Sequence, residues 1–245
     1  MTTGAAHDDP AAGEGAQEEI ALDPTRAGGV FGFGAADMIL LANAAGPHAA
    51  RRAAAAFRFD PKLVASEEAT MAAVSSLAAR GFLELDELGR PVRPVHAARG
   101  ICVAIADARR WTLVLASGPA GPGAFRILRG PQLAIIVQQG SFGAFHVGFV
   151  DPAETDADIV LGMLDDHLET SPGATFTVVV EASGAAARIV RVRRTGGDEG
   201  EGPRFRVERA EAADDEAVAA PGGPLDEDGL EALIAELLPP IEGRR

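Results

Sequence analysis

Apolar residues change their period several times along this chain, and each change marks an element. Val30 to Phe33 predicts a short strand. A helix from about Gly34 to Ala45 follows, with Met38, Leu41 and Ala45 on one face and Gly46-Pro47 closing it. Ala49 to Phe57 predicts a second short helix, ended by Asp60-Pro61. Ser66 is placed as an N-cap, followed by Glu67 and Glu68 where the helix dipole favours acids. Met71, Val74 and Leu77 form the expected buried stripe of that helix. Gly81 then suits the left-handed C′ position, letting Phe82 and Leu83 fold back on the stripe. A wing-like hairpin turns at Glu87 to Arg90, and Pro91 and Pro94 confine it to an edge. Val95 to Ala106 is apolar nearly all round and predicts a buried helix.

From Trp111 the runs shorten and become rich in Val, Ile, Leu and Phe. Trp111 to Ala116, Ala124 to Leu128, Leu133 to Gln138 and Ala144 to Val150 predict a four-stranded meander. Thr155 and Asp158 form an N-cap pair before an amphipathic helix carrying Ile159, Val160, Met163, Leu164 and Leu168. The pattern then recurs more loosely. Thr175 to Ala182, Arg188 to Arg194 and Phe205 to Glu208 read as strands, and Asp226 to Leu238 as an amphipathic helix. Gly196 to Pro203 and Glu211 to Pro224 read as flexible loops. The fold class is therefore α+β: a central antiparallel sheet with a strands-then-helix pseudo-repeat, flanked by an N-terminal helical subregion. Residues 1–28 are expected to form a disordered acidic tail and 29–245 a single domain. Within it, 29–107 is mainly helical and 108–245 holds the sheet and two helices.

Composition narrows the chemistry. The tail has six carboxylates and almost nothing apolar to offset its ordering entropy. Neither a signal-peptide core nor a run approaching about 18 apolar residues is present, so a cytoplasmic, non-membrane protein is expected. Cys102 is the sole cysteine, which excludes an intrachain disulfide or thiolate cluster. The net charge of −14 disfavours nucleic acid as a partner. Against that background, Arg188 to Arg209 holds seven arginines beside Asp198, Glu199, Glu201 and Glu208. The alternation of Arg191 and Arg193 reads as one solvated sheet face paired to the acidic C-terminal loop.

No catalytic, cofactor or metal residue is assigned, and the chain reads as a non-enzyme. The glycines from Gly29 to Gly34 miss a dinucleotide fingerprint, because Asp37 stands where the third glycine belongs. Gly118 to Gly123 contains two prolines, which lack the amide donors of a phosphate cradle. The five histidines lack metal-ligand spacing; His167 complements a helix C-terminus, and Cys102 reads as a small buried apolar residue. Ser141, in a hairpin turn, lacks a histidine-acid pairing.

The stretches Val30 to Leu41, Leu77 to Val92 (L-A-A-R-G-F-L-E-L-D-E-L-G-R-P-V), the apolar helix to Asp107 and the strands to the helix at Leu164 resemble the EspG family. These are cytosolic substrate chaperones of actinobacterial type VII (ESX) secretion, and the resemblance spans roughly residues 30–168. It implies a quasi-symmetric fold with a central antiparallel sheet and a helical lobe, binding the tip of a helical secreted substrate. It also implies contact through the loop Gly118 to Gly123, hence Gly118, Pro119 and Pro122. Phe142 and Phe145, flanking the Gly143-Ala144 turn, are the aromatic candidates for the same contact, with a hairpin-core role as their alternative. The leading reading is a non-enzymatic adaptor or chaperone for a secreted protein. The alternative is a winged-helix DNA-binding regulator with Ser66 to Arg80 as recognition helix; Glu67 and Glu68 at its start oppose this.

Overall fold

The computed structural model describes residues 29–118, 122–170, 174–182, 185–195, 204–213 and 216–241. The expectations for residues 1–28 and for Gly196 to Pro203 lie outside the described residues. The first part comprises β1 (Val30–Gly34), α1 (Ala35–Ala44), α2 (Pro47–Phe57), α3 (Pro61–Val64), α4 (Glu67–Ala79), β2 (Leu83–Leu85), β3 (Pro91–Pro94) and α5 (His96–Asp107). The second comprises β4 (Arg110–Ser117), β5 (Gly123–Arg129), β6 (Ala134–Gln139), β7 (Ala144–Phe149) and α6 (Asp156–Thr170). The third comprises β8 (Thr175–Ala182), β9 (Ala187–Thr195), β10 (Arg204–Ala213), β11 (Glu216–Leu225) and α7 (Glu227–Leu237).

Nine strands pair antiparallel in the order β1-β7-β6-β5-β4-β8-β9-β10-β11. Reading outward from the β4–β8 junction gives β4, β5, β6, β7 in one direction and β8, β9, β10, β11 in the other. Each half ends in one helix. The pseudo-repeat read from the sequence is thus a near two-fold arrangement of the sheet, with β1 added beyond β7.

The two faces are covered differently. On one, Val114, Ile127, Phe176, Val178, Val190, Val192, Phe205 and Val207 pack with Val160 and Leu164 of α6 and Ile234 of α7. The i, i+3, i+4 spacing of both helices presents one apolar stripe to the sheet. On the other, Phe33, Trp111, Leu128, Ile135, Val137, Phe145 and Val147 meet Met38, Leu41, Phe57, Leu77 and Ile101 of the N-terminal helices. Helix α5 approaches β7 at Gly100, where an added Cβ would lie 2.8 Å from the Phe149 ring. That close packing needs a glycine.

Local signals act as the sequence predicts at the helix ends. Ser66 Oγ accepts the Ala69 amide, and Thr155 and Asp158 exchange bonds at the start of α6. Gly81 takes φ 72°, and the Gly81 and Phe82 amides donate to the Ala78 and Leu77 carbonyls, closing α4 in a Schellman turn.

Four expectations are corrected. Met71 is 59% exposed, and the buried stripe of α4 is Ala73, Val74 and Leu77. At about 100° per residue Met71 sits roughly 120° around the helix from Leu77, beyond the strip that α1 covers. Glu211 to Pro224 is not a loop: it completes β10 and forms β11, with a register irregularity between Arg206 and Glu208. Its Ala, Gly and Pro content hides the strand, because an edge strand is held by backbone pairing and tolerates proline on its outer side. Asp60-Pro61 starts the short α3, with Asp60 as its N-cap. Helix α5 buries one face only, leaving Ala106 exposed and Cys102 half-buried.

Candidate functional site: the open sheet face

The helical subregion covers its face of the sheet from β1 to the start of β4. Beyond that, among the described residues, no element lies over the same face of β4, β8, β9 and β10. Strand register resolves this open area into three rungs. Leu113, Val179, Ile189 and Ala210 form the first, and Leu115, Thr177, Arg191 and Glu208 the second. Ser117, Thr175, Arg193 and Arg206 form the third. The face therefore grades from apolar near its middle to basic at the rim. Leu115 is 40% exposed, and Arg191 pairs with Glu208 at 3.2 Å.

At that rim a cleft of about 730 Å³ is lined by Leu115, Ser117, Pro122, Gln139, Thr177 and Arg191, among others. Strand direction brings three of the predicted contact residues to this end of the sheet. Gly118 follows β4 and is half-buried, Pro122 precedes β5 and is exposed, and Phe142 lies in the β6–β7 turn. Pro119 lies outside the described residues.

Phe142 and Phe145 part company. Phe142 is fully exposed at φ 58°, in a turn whose Gly140 amide donates to the Ala144 carbonyl at 2.8 Å. A bulky residue in the left-handed region costs about 1–2 kcal/mol, so the turn holds an aromatic in water at a local energetic disadvantage. Phe145 is 1% exposed, edge-on to Phe57 and Phe59, with ring centroids at 5.6 and 5.8 Å. Its expected surface role is corrected. One residue of separation in a strand reverses the face, and the face of β7 carrying Phe145 is the one under the helices.

Arg126 borders the open area beside Leu113, its guanidinium 5.5 Å from the Phe57 ring. Burial lowers its pKa; Glu181 opposes that shift and Arg58 adds to it. Arg52 spans the junction, donating to the Ala108 carbonyl at 2.9 Å and lying 4.9 Å from the Trp111 ring centroid.

The surface that a winged-helix reading would present to DNA is internally neutralised. Arg90 pairs with Asp86 at 2.7 Å and Arg93 with Glu84 at 2.6 Å. Arg80 bonds the Gly32 carbonyl at 2.6 Å and packs on the Phe33 and Phe82 rings. Glu67 and Glu68 remain exposed at the start of α4.

Other candidate chemistry resolves into structural contacts. The Cys102 thiol donates to the Leu41 carbonyl at 3.3 Å, and burial pushes its pKa up to about 12. A His167 ring nitrogen lies 3.3 Å from the Ser117 carbonyl. No group of His, Cys, Asp and Glu among the described residues is arranged to hold a metal ion. None of the described helices is long and apolar enough to cross a membrane.

Sequence reasoning missed a buried cluster. Asp156 is fully buried and accepts from Arg110 Nη2 and Nε at 2.5 and 2.9 Å and from Arg129 Nε at 2.6 Å. The same arginines bind the Pro239 and Glu154 carbonyls. It ties β4, β5, the start of α6 and the end of α7 together. The sequence separations are 46 and 27 residues, and no local signal joins them.

No protein-family model matches this chain, and no curated protein matches it. The fold is similar to the solved structure of the Mycobacterium tuberculosis type VII secretion system chaperone EspG5 in complex with a PE25-PPE41 dimer. That likeness covers 89% of this chain and 100% of the other, at a TM-score of 0.50 and 9% identity, and it is a likeness of fold.

Proposed function

We propose that this protein is a non-enzymatic adaptor or chaperone that holds a helical secreted protein of a type VII system against the open face of its sheet. The observation that carries the reading is an asymmetry. The sheet is built of two matching halves, yet its second face has a helical layer over one half and none among the described residues over the other. A partner that lays helices over β4, β8 and β9 would supply the missing layer, burying Leu113, Leu115 and Val179. Phe142, Gly118 and Pro122 stand at the rim, where an aromatic anchor fits a contact better than it fits the isolated fold. The EspG5 likeness supports this assignment at the level of fold. The internally paired wing arginines favour it over DNA binding, which depends on cations available to phosphates.

Retrieval of the tagged full-length protein from its native host tests the proposal. A helical secreted protein should co-purify, and Leu115→Arg with Phe142→Ala should lose it while folding normally. Recovery of no such partner, or equal recovery by the variant, overturns the reading.

A further inference from the structure

We propose that the basic rim of the open face is the docking site of the chain's own acidic N-terminal segment, residues 1–28. The motivating feature is the third rung, where Arg193 and Arg206 stand directly opposite each other on antiparallel strands. Opposed residues have Cβ atoms about 4.5–5.5 Å apart, and like charges so placed repel. One rung inward the opposite choice is made, Arg191 facing Glu208. Neither Arg193 nor Arg206 is ion-paired with a described residue, and both side chains face outward. In a chain of net charge −14, a like-charged arginine pair on an uncovered face is explained by an anionic occupant.

The segment before Val30 has the complementary chemistry. It carries Asp8, Asp9, Glu14, Glu18, Glu19 and Asp23 against the single Arg26. It also has the reach. From β1 to β10 is seven strand spacings, roughly 34 Å at about 4.8 Å each. Twenty-eight residues extend to about 100 Å at most. Tethering makes the encounter intramolecular, so modest charge pairing suffices. Docking of the segment does not depend on the chaperone reading.

Paramagnetic relaxation on the full-length protein tests this. A nitroxide is attached at Gly13→Cys, which keeps all six carboxylates, in a Cys102→Ala background, so that the segment carries the sole thiol. At about 10 mM salt, where the Debye length is roughly 30 Å, the amides of Thr177, Arg191, Arg193 and Arg206 should lose intensity selectively. Intensity should return at about 0.5 M salt, where screening falls to roughly 4 Å. It should also return at low salt in Arg193→Glu with Arg206→Glu, or in the milder Arg193→Gln with Arg206→Gln should the first fail to fold. Asp198, Glu199 and Glu201 of the β9–β10 connection are the rival source of negative charge, and if they satisfy the pair the label leaves this face unaffected. Unaffected amides at low salt, or an effect that persists in the folded arginine variants, would refute the docking.

Discussion

Replacing Asp156 by alanine isolates the most deeply buried ion-pair cluster among the described residues. Its carboxylate is fully buried and takes three N–H bonds, two from Arg110 and one from Arg129. The Arg110 side chain is itself only 7% exposed, so its charge has little access to water once the carboxylate is gone. Removing one partner of a buried pair costs about 3–5 kcal/mol, chiefly from the charge left uncompensated. Whole domains are stable by roughly 5–15 kcal/mol, so the loss would be a large share of the total. Urea unfolding followed by circular dichroism should show a midpoint lowered by about 1–2 M at an unchanged slope. The logic also demands an asymmetry. Asp156→Leu combined with Arg110→Met and Arg129→Leu should recover most of the loss, because an apolar trio owes no desolvation. A loss below about 1 kcal/mol for Asp156→Ala would mean that water reaches Arg110 and that the cluster is not dry.

Three further outcomes follow from single residues. Gly81→Val should lower stability by about 1–3 kcal/mol; nothing lies within 4 Å of the added Cβ, so the whole cost is the φ of 72°, and an unchanged melting temperature would show that the Schellman turn does not set the end of α4. Phe142→Gly should do the reverse, stabilising by about 0.5–1 kcal/mol through relief of the left-handed aromatic, while weakening any partner contact; a destabilised variant would show that the ring packs on something. Cys102 should react with a thiol reagent at pH 8 far more slowly in the native protein than in denaturant, since a pKa near 12 leaves about one thiol in ten thousand ionised; equal rates would place the thiol in water.

The elements that sequence alone determined are those whose signals are local. The meander from Trp111 to Val150, the amphipathic α6 and α7, the Ser66 and Thr155 caps and the turn at Gly81 each depend on residues a few positions apart. Side-chain period, capping chemistry and the freedom of glycine act at that range. The pseudo-repeat was legible for the same reason, being a repetition of local patterns. The resemblance implied contact in the β4–β5 loop and the turn aromatics added Phe142 and Phe145; the structure puts Gly118, Pro122 and Phe142 at one end of the sheet and Phe145 in the core.

What the tertiary structure decided needs a partner far away in the chain. β11 exists because β10 offers an unpaired backbone edge, which composition cannot report. Met71 is exposed and Phe145 buried because α1, α2 and Phe57 lie where they do. The alternation of Arg191 and Arg193 was visible in the sequence, but that the second faces Arg206 is a matter of register across a hairpin. The Asp156 cluster depends on β4, β5 and α6 converging, and the open face on helices stopping at β4. Local free energies bias each element. Which face is covered, and which charge is left opposite which, is fixed only when strands pair and layers pack, because those contacts join residues whose separation carries no pattern.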